Sequence, residues 1–501
     1  MSDEDSSWSS SSSISVQPDA AELRMAEIMF ARAQGHEIET SVDESLKQRF
    51  RLQAETLDGD TGISDSTDSD DGLVDENGFR IPKRRKAPRP STRIPAEDSH
   101  WYQLFLSPRQ VAAIREEETK GKPKDATISY TFRMMFRVPF TVFEHLVDVA
   151  TRDGWYDNER VDNSGRKVKD VRLLILGCLH MIGHAATLRT VQTNTGISKD
   201  VQNRFFVRWF AKMASLKDNY IYLPRNEAEL KRVSNDYQRY GFPGCVGSID
   251  VVKIDWGRCP TELRNVYKSK DKHPCVGYQV ITTYRRFIQG VSPGFAGSLN
   301  DATTIKYEQT VKELLSGEHW LGRCSWHTDT YSGGMRSFVG CYLITDGGYL
   351  RWPCLLSGLE EAGNKALRRY TKAIAATRKD VECTFGSLKK RFTWLNCCNN
   401  QSRQQEIDHV FVTACILHNL NLQHDGTLDR ADFAVEGGEM DRLRESIGIR
   451  HTFELAPMSM DSFQSLERRD DALEWDRRIR AIAEHMQANR NRALRSNVTY
   501  G

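Results

Sequence analysis

No run of about 18 consecutive apolar residues occurs in the chain, so a membrane-spanning helix is not expected. An N-terminal apolar segment of the kind that starts a secretory leader is also missing, which argues for a soluble, intracellular protein. Cysteine is present but unpatterned: there are 11, with no C-x-x-C pair, and only Cys397 and Cys398 are adjacent. That argues against a zinc ribbon and a disulfide-stapled secreted scaffold, and leaves reduced, mostly buried thiols. The net charge is only +2, so no overall excess of positive charge marks the chain as a nucleic-acid binder.

What the 501 residues do contain is unevenly spread. A hydrophobic fraction of 39% can bury a sizeable core and build two or three domains. Residues 1–97 are expected to be disordered. Ser6 to Ser13 is nearly all serine, and Asp65 to Asp71 is rich in like charges that repel. The cluster Lys83-Arg84-Arg85-Lys86 that follows reads as a nuclear localisation signal, with a solvated basic linker as the plainer alternative.

Residues 98–240 read as a helical region. Phe132, Met135, Phe136, Phe140, Phe143 and Leu146 recur at helical spacing, interrupted by Pro139, and Val171 to Met181 is strongly apolar. From Leu188, a short helix, a turn at Thr195-Gly196 and a second helix capped by Ser198 give a helix-turn-helix-like pattern. In that second helix Val201, Phe205 and Trp209 would face inward. Lys199, Gln202, Asn203 and Arg204 would project outward, toward DNA. An ordinary helical hairpin is an equally good reading, because any solvated helix face is polar.

Residues 241–424 change character. Gly247 to Trp256, Tyr278 to Tyr284, Phe287 to Pro293 and Cys341 to Thr345 read as strands, Asp301 to Leu315 and Val381 to Leu395 as helices. This order is that of an α/β domain, a mixed sheet flanked by helices. Residues 425–501 form a polar tail with an Arg-rich helix, Leu473 to Leu494, that could dock on the core, contact DNA or stay partly unstructured.

Three acids stand out in the α/β segment. Asp250 lies in the first strand, on the face shared with Val252 and Ile254 and opposite Asp255. Asp346 follows the fourth strand and precedes Gly347-Gly348, where backbone can come close to a ligand. Glu382 borders the apolar stripe Val381, Phe385, Leu388, Phe392 and Leu395 of the last helix, beside Arg378, Gly386 and Lys389. Carboxylates converging from two strands and one helix suit Mg²⁺ or Mn²⁺, which take oxygen ligands. Two such ions could activate water and stabilise a leaving 3′ oxygen. Arg378, Lys389, Lys390 and Arg391 would supply positive charge for DNA phosphates. Taken alone, Glu382 reads first as a solvated residue paired with Arg378 four residues earlier, and the three acids in their strand and helix contexts reverse that reading. Asp301, in Asn300-Asp301-Ala-Thr-Thr, is a candidate supporting acid, or either Asn300 or Asp301 caps the helix that follows.

Six motifs in order carry a family resemblance: Gly247-Ser-Ile-Asp250; Trp256 with Cys259-Pro260; Ala296-Gly-Ser-Leu-Asn-Asp301; Tyr342-Leu-Ile-Thr-Asp346-Gly-Gly-Tyr349; Arg378-Lys-Asp-Val-Glu382 with Phe385-Gly386; and Leu417-His-Asn419. The segment Gly244 to Leu420 resembles the DDE transposases of the PIF/Harbinger superfamily, in particular the plant transposon protein group. The upstream helices fit more loosely, and the first hundred residues and the tail are not covered.

The resemblance implies a ribonuclease-H-like catalytic core, with Asp250, Asp346 and Glu382 as a DDE triad holding divalent metal. It implies an endonuclease and transposase that cuts and joins transposon ends in the nucleus. DNA would be the substrate, with a Myb-like helper protein and homo-oligomers as candidate partners. A domesticated nuclear DNA-binding or protein-recruiting module is the alternative. Two positions depart from the family pattern: Lys253 stands where many relatives have His, and Cys383 where many have Arg.

Overall fold

The computed structural model describes residues 94–120, 127–152, 154–157, 168–397, 401–426 and 470–498. The Ser-rich and acidic segments and the basic cluster at Lys83 to Lys86 lie outside these residues. The helical region supplies α1 (Pro108–Thr119), α2 (Ile128–Phe136), α3 (Phe140–Arg152), α4 (Val171–His184), α5 (Leu188–Thr195), α6 (Lys199–Ser215) and α7 (Glu227–Gln238). Pro139 separates α2 from α3, and between them Arg137 sits in the left-handed conformation that ends α2.

The sheet follows from the burial of its strands. All eight residues of β2 (Cys275–Thr282) are buried, as is most of β1 (Cys245–Asp255), so both are central. β3 (Ile288–Val291) and β4 (Phe295–Ala296) pair with β2. A separate hairpin, β5 (Ser325–Asp329) with β6 (Met335–Val339), comes next in the chain. β7 (Tyr342–Ile344) then pairs in parallel with β1, and β8 (Leu355–Leu356) in parallel with β7. The order across the sheet is β3-β2-β1-β7-β8, with β1, β2 and β3 antiparallel.

The Asp301 to Leu315 segment is two helices rather than one. Asp301–Thr304 gives way to a tight turn, and the Glu308 carboxylate accepts from Val311 N at 2.7 Å to start α8 (Gln309–Ser316). The helix expected from Val381 begins much earlier. It is α9 (Lys365–Arg391), capped by Asn364, whose side chain accepts from Leu367 N. Its buried residues Leu367, Tyr370, Ile374, Thr377, Val381, Thr384 and Leu388 recur at alternating steps of three and four, one unbroken stripe laid on the sheet.

α10 (Gln404–His424) is buried on nearly every side, which marks it as a central helix. Phe411 stacks on Tyr278 of β2 at 4.1 Å between ring centroids. The Asn419 amide pairs with the backbone of the edge strand: Ile288 N donates to its Oδ1 at 2.9 Å, and its Nδ2 donates to Ile288 O at 2.8 Å. His418 bonds Arg286 O at 2.9 Å, so the Leu417-His-Asn motif pins α10 to β3. The C-terminal helix α11 (Asp471–Val498) docks on the core. Trp475 Nε1 donates to Leu355 O, and the buried Arg478 guanidinium donates to Gly340 O, Pro353 O and Val339 O. Among the described residues no helix is long and apolar enough to cross a membrane.

Candidate active site

Strand register brings the first two acids together. β1 and β7 run parallel with Ser248 opposite Ile344, so Asp250 and Asp346 each lie two residues further along neighbouring strands, which run about 4.8 Å apart. The Asp250 carboxyl points to the face covered by α9, where Arg378 Nη1 lies 2.8 Å from its Oδ2. Asp346 Oδ1 accepts from Gly348 N at 2.8 Å, which fixes it in a tight turn at the strand end.

Asp301 joins them. Asn300 is the cap of the short helix, accepting from Thr303 N at 2.8 Å, and this leaves the Asp301 carboxyl free of capping. A methyl group on Gly348 would lie 3.2 Å from Asp346 Oδ1 and 3.4 Å from Asp301 Oδ2, so both carboxyls flank one point. Burial pushes Asp250 up to about 6; the charges of Asp346 and Asp301 add to the rise, while Val251 N–H and Arg378 oppose it. Asp301 is also raised, by burial first and then by Asp346, against Lys253, Lys270 and Arg378. Mutual repulsion of this kind is what a bound cation relieves.

Tyr349 completes the cluster. Its ring is 7% exposed, and its hydroxyl is buried without a hydrogen-bond partner. Burial, then the charges of Asp301, Asp250 and Asp346, push the phenol well above its usual range. The Asp-Gly-Gly-Tyr sequence held this signal, a polar ring three residues after an acid at a strand end. Lys253 Nζ donates to Gly297 O at 3.1 Å on the Asp301 side of the cluster.

Glu382 is placed differently. It is on the α9 turn after Arg378 and half exposed, and Arg378 Nη2 holds its Oε1 at 2.6 Å. Arg378 thus spans Asp250 and Glu382. Among the described residues no group of three His, Cys, Asp or Glu side chains is gathered to hold a metal ion. The oxygen donors of Asp250, Asp301 and Asp346 suit a hard cation. Glu382 could join them only by leaving Arg378.

The residues read as DNA contacts divide. Lys199, Asn203 and Arg204 are exposed on α6, and Lys390 is exposed on α9. Gln202, expected to project outward, is fully buried. Its Nε2 donates to Leu174 O at 3.0 Å, and it fits only because the facing residue of α4 is Gly177. Its position falls on the buried stripe of Phe205, Phe206, Trp209 and Met213, with Val201 only half-buried, and the polar side chain hides that. Lys389 is half-buried and donates to Lys253 O at 2.9 Å. Arg391 is held among Arg133, Arg137, Asp425 and His418, where burial lowers its pKa.

Comparison with known proteins matches the same segment. Residues 218–429 match the family model described as plant transposon protein. Proteins named "Putative nuclease HARBI1" from Rattus norvegicus and Homo sapiens are 22% identical over 232 residues, which cover 46% of this chain. The chain spans 61% of the length of these curated relatives. No solved structure matches. Over the stretch that holds the carboxylates, the chain is thus similar to plant transposon proteins and to Harbinger-type putative nucleases.

Proposed function

We propose that this chain is a metal-dependent DNA endonuclease of the DDE type, acting as a transposase on transposon ends. The observation that carries the reading is the convergence of Asp250 and Asp346 from adjacent parallel strands, with Asp301 beside them and α9 carrying Glu382 alongside. An antiparallel β1-β2-β3 meander extended by parallel β7 and β8, with helices packed on it, supports a ribonuclease-H-like core.

Asp250 and Asp346 would hold the divalent cation, Mg²⁺ or Mn²⁺, with Asp301 supporting and Glu382 closing the set. Such cations supply the activation of water and the stabilisation of the departing 3′ oxygen in phosphodiester cleavage. The protein's own part is positional. Gly348 N–H orients Asp346, the buried and unpartnered Tyr349 hydroxyl stays protonated and available to donate, and Arg378 stands ready to meet phosphate. Lys390 on α9 and Lys199, Asn203 and Arg204 on α6 would meet the DNA backbone. Transposon ends and target DNA in the nucleus, a Myb-like helper and self-association belong to the same reading.

One observation favours a second reading. Arg378 neutralises Asp250 and Glu382 as they stand, as it would in a domesticated DNA-binding module that has no need of metal. Incubating the purified chain with Mn²⁺ and DNA bearing terminal inverted repeats separates the two. The enzyme yields free 3′-hydroxyl ends and joined products, whereas retained DNA binding without any cleavage sinks the transposase reading.

A further inference from the structure

Arg378 does something the carboxylates alone do not require. Its side chain is 24% exposed, and its guanidinium reaches two acids that sit on different elements, Asp250 on β1 at 2.8 Å and Glu382 on its own helix at 2.6 Å. Asp250 lies on the sheet face that α9 covers, so the arginine lies between the strand acid and the helix acid. A planar fork with separated donors can bridge two carboxylates in this way, while a lysine ammonium is a single point charge.

Resting on the endonuclease reading above, we propose that Arg378 is an internal counter-ion that keeps the cation site closed until divalent metal displaces it. In the closed state Arg378 bridges Asp250 and Glu382. In the open state Glu382 turns from Arg378 toward Asp250 and Asp346, and the released guanidinium faces the groove where a DNA phosphate arrives. Glu382 has the freedom this needs, since its side chain is 49% exposed, whereas Asp250 is fixed at 17% exposure with its Oδ1 accepting from Val251 N. Metal and arginine then compete for the same two carboxylates, and each must weaken the other by the same factor. Metal loading and DNA engagement are thereby coupled, because phosphate offers the displaced guanidinium a new bidentate partner.

The test is Mn²⁺ affinity of the full chain without DNA, by calorimetry and by the paramagnetic resonance of free Mn²⁺, with thermal melting as the control for folding. Arg378→Gln is expected to bind Mn²⁺ at least about fivefold more tightly than wild type. Arg378→Lys, which keeps the charge but not the fork, should fall between the two. In Glu382→Gln the further change Arg378→Gln should bring less gain, since one of the two competed carboxylates is gone and only Asp250 remains. Arg378→Gln and Arg378→Lys proteins that melt like wild type yet bind Mn²⁺ no more tightly would overturn the counter-ion role. If in addition Asp346→Asn leaves Mn²⁺ affinity unchanged, the cation site itself fails and the proposal falls with it. A loss of affinity in Asp346→Asn alone isolates the failure to Arg378.

Discussion

Asp301 and Asp346 converge on Gly348: a Cβ there would lie 3.4 Å from one carboxyl oxygen and 3.2 Å from the other. The contact is tight but not prohibitive. Gly348→Ala should therefore fold normally, within about 0.5 kcal/mol of wild type. It should displace both carboxyls by a few tenths of an ångström and slow metal-dependent cleavage on the order of tenfold. Urea melts beside a nicking time course check this, and full activity in the alanine variant would place the two acids outside the reacting geometry.

Gln202 is a structural residue. Gln202→Ala removes the bond to Leu174 O inside the α4–α6 contact and should cost roughly 1–3 kcal/mol in denaturant unfolding. DNA affinity of the folded variant should not change. Weaker binding at equal stability would return Gln202 to the DNA-contacting face.

Two neighbouring basic residues of α9 should behave oppositely. Lys390 is exposed, so Lys390→Ala should lower the slope of log affinity against log salt by about one unit if it meets a phosphate. Arg391 is packed against His418, and Arg391→Ala should lower the melting temperature with little effect on that slope. A salt titration of both variants on one DNA fragment decides the matter, and equal slope changes would contradict the assignment.

Asp408 of α10 makes stability depend on pH. It accepts from Tyr278 Oη at 2.6 Å, and burial pushes its pKa up to about 6. A carboxyl raised in the folded state adds stability that is complete below its unfolded value, near 4, and is lost as pH rises through about 6. For a shift of this size the contribution is on the order of 2–3 kcal/mol. Asp408→Asn should therefore flatten the decline of stability between roughly pH 4 and 6, as followed by denaturant melts at several pH values. An undiminished slope in the variant would assign the effect to Asp250 or Asp380, which burial also raises to about 6.

The strands are legible in the sequence from local patterns of β-forming residues, as in Tyr278 to Tyr284, where Val280, Thr282 and Tyr284 fall on alternate positions. The parallel pairing that sets Asp250 beside Asp346 was not legible, since register is fixed by contacts distant in sequence. Four elements escape for local reasons. The first half of α9 has its stripe of Leu367, Tyr370 and Ile374 diluted by Arg368, Arg369 and Lys372. β8 is two residues long, and β6 exposes most of its side chains, so neither presents a period. α10 is buried all round and shows no amphipathic face, so only its Leu417-His-Asn motif is distinctive in the sequence. The carboxylates were found as residues, while their linkage through Arg378 needed the folded chain. An i, i+4 Arg–Glu pair reads as a surface interaction until a strand acid is seen on the other side of the arginine.

The most direct test of the central claim is nicking of supercoiled plasmid by the purified chain with Mg²⁺ or Mn²⁺, beside Asp346→Asn and Glu382→Gln proteins of equal thermal stability. The account predicts nicking that requires the metal, is abolished by chelation and is lost in both variants. Nicking at the wild-type rate by Asp346→Asn would contradict it.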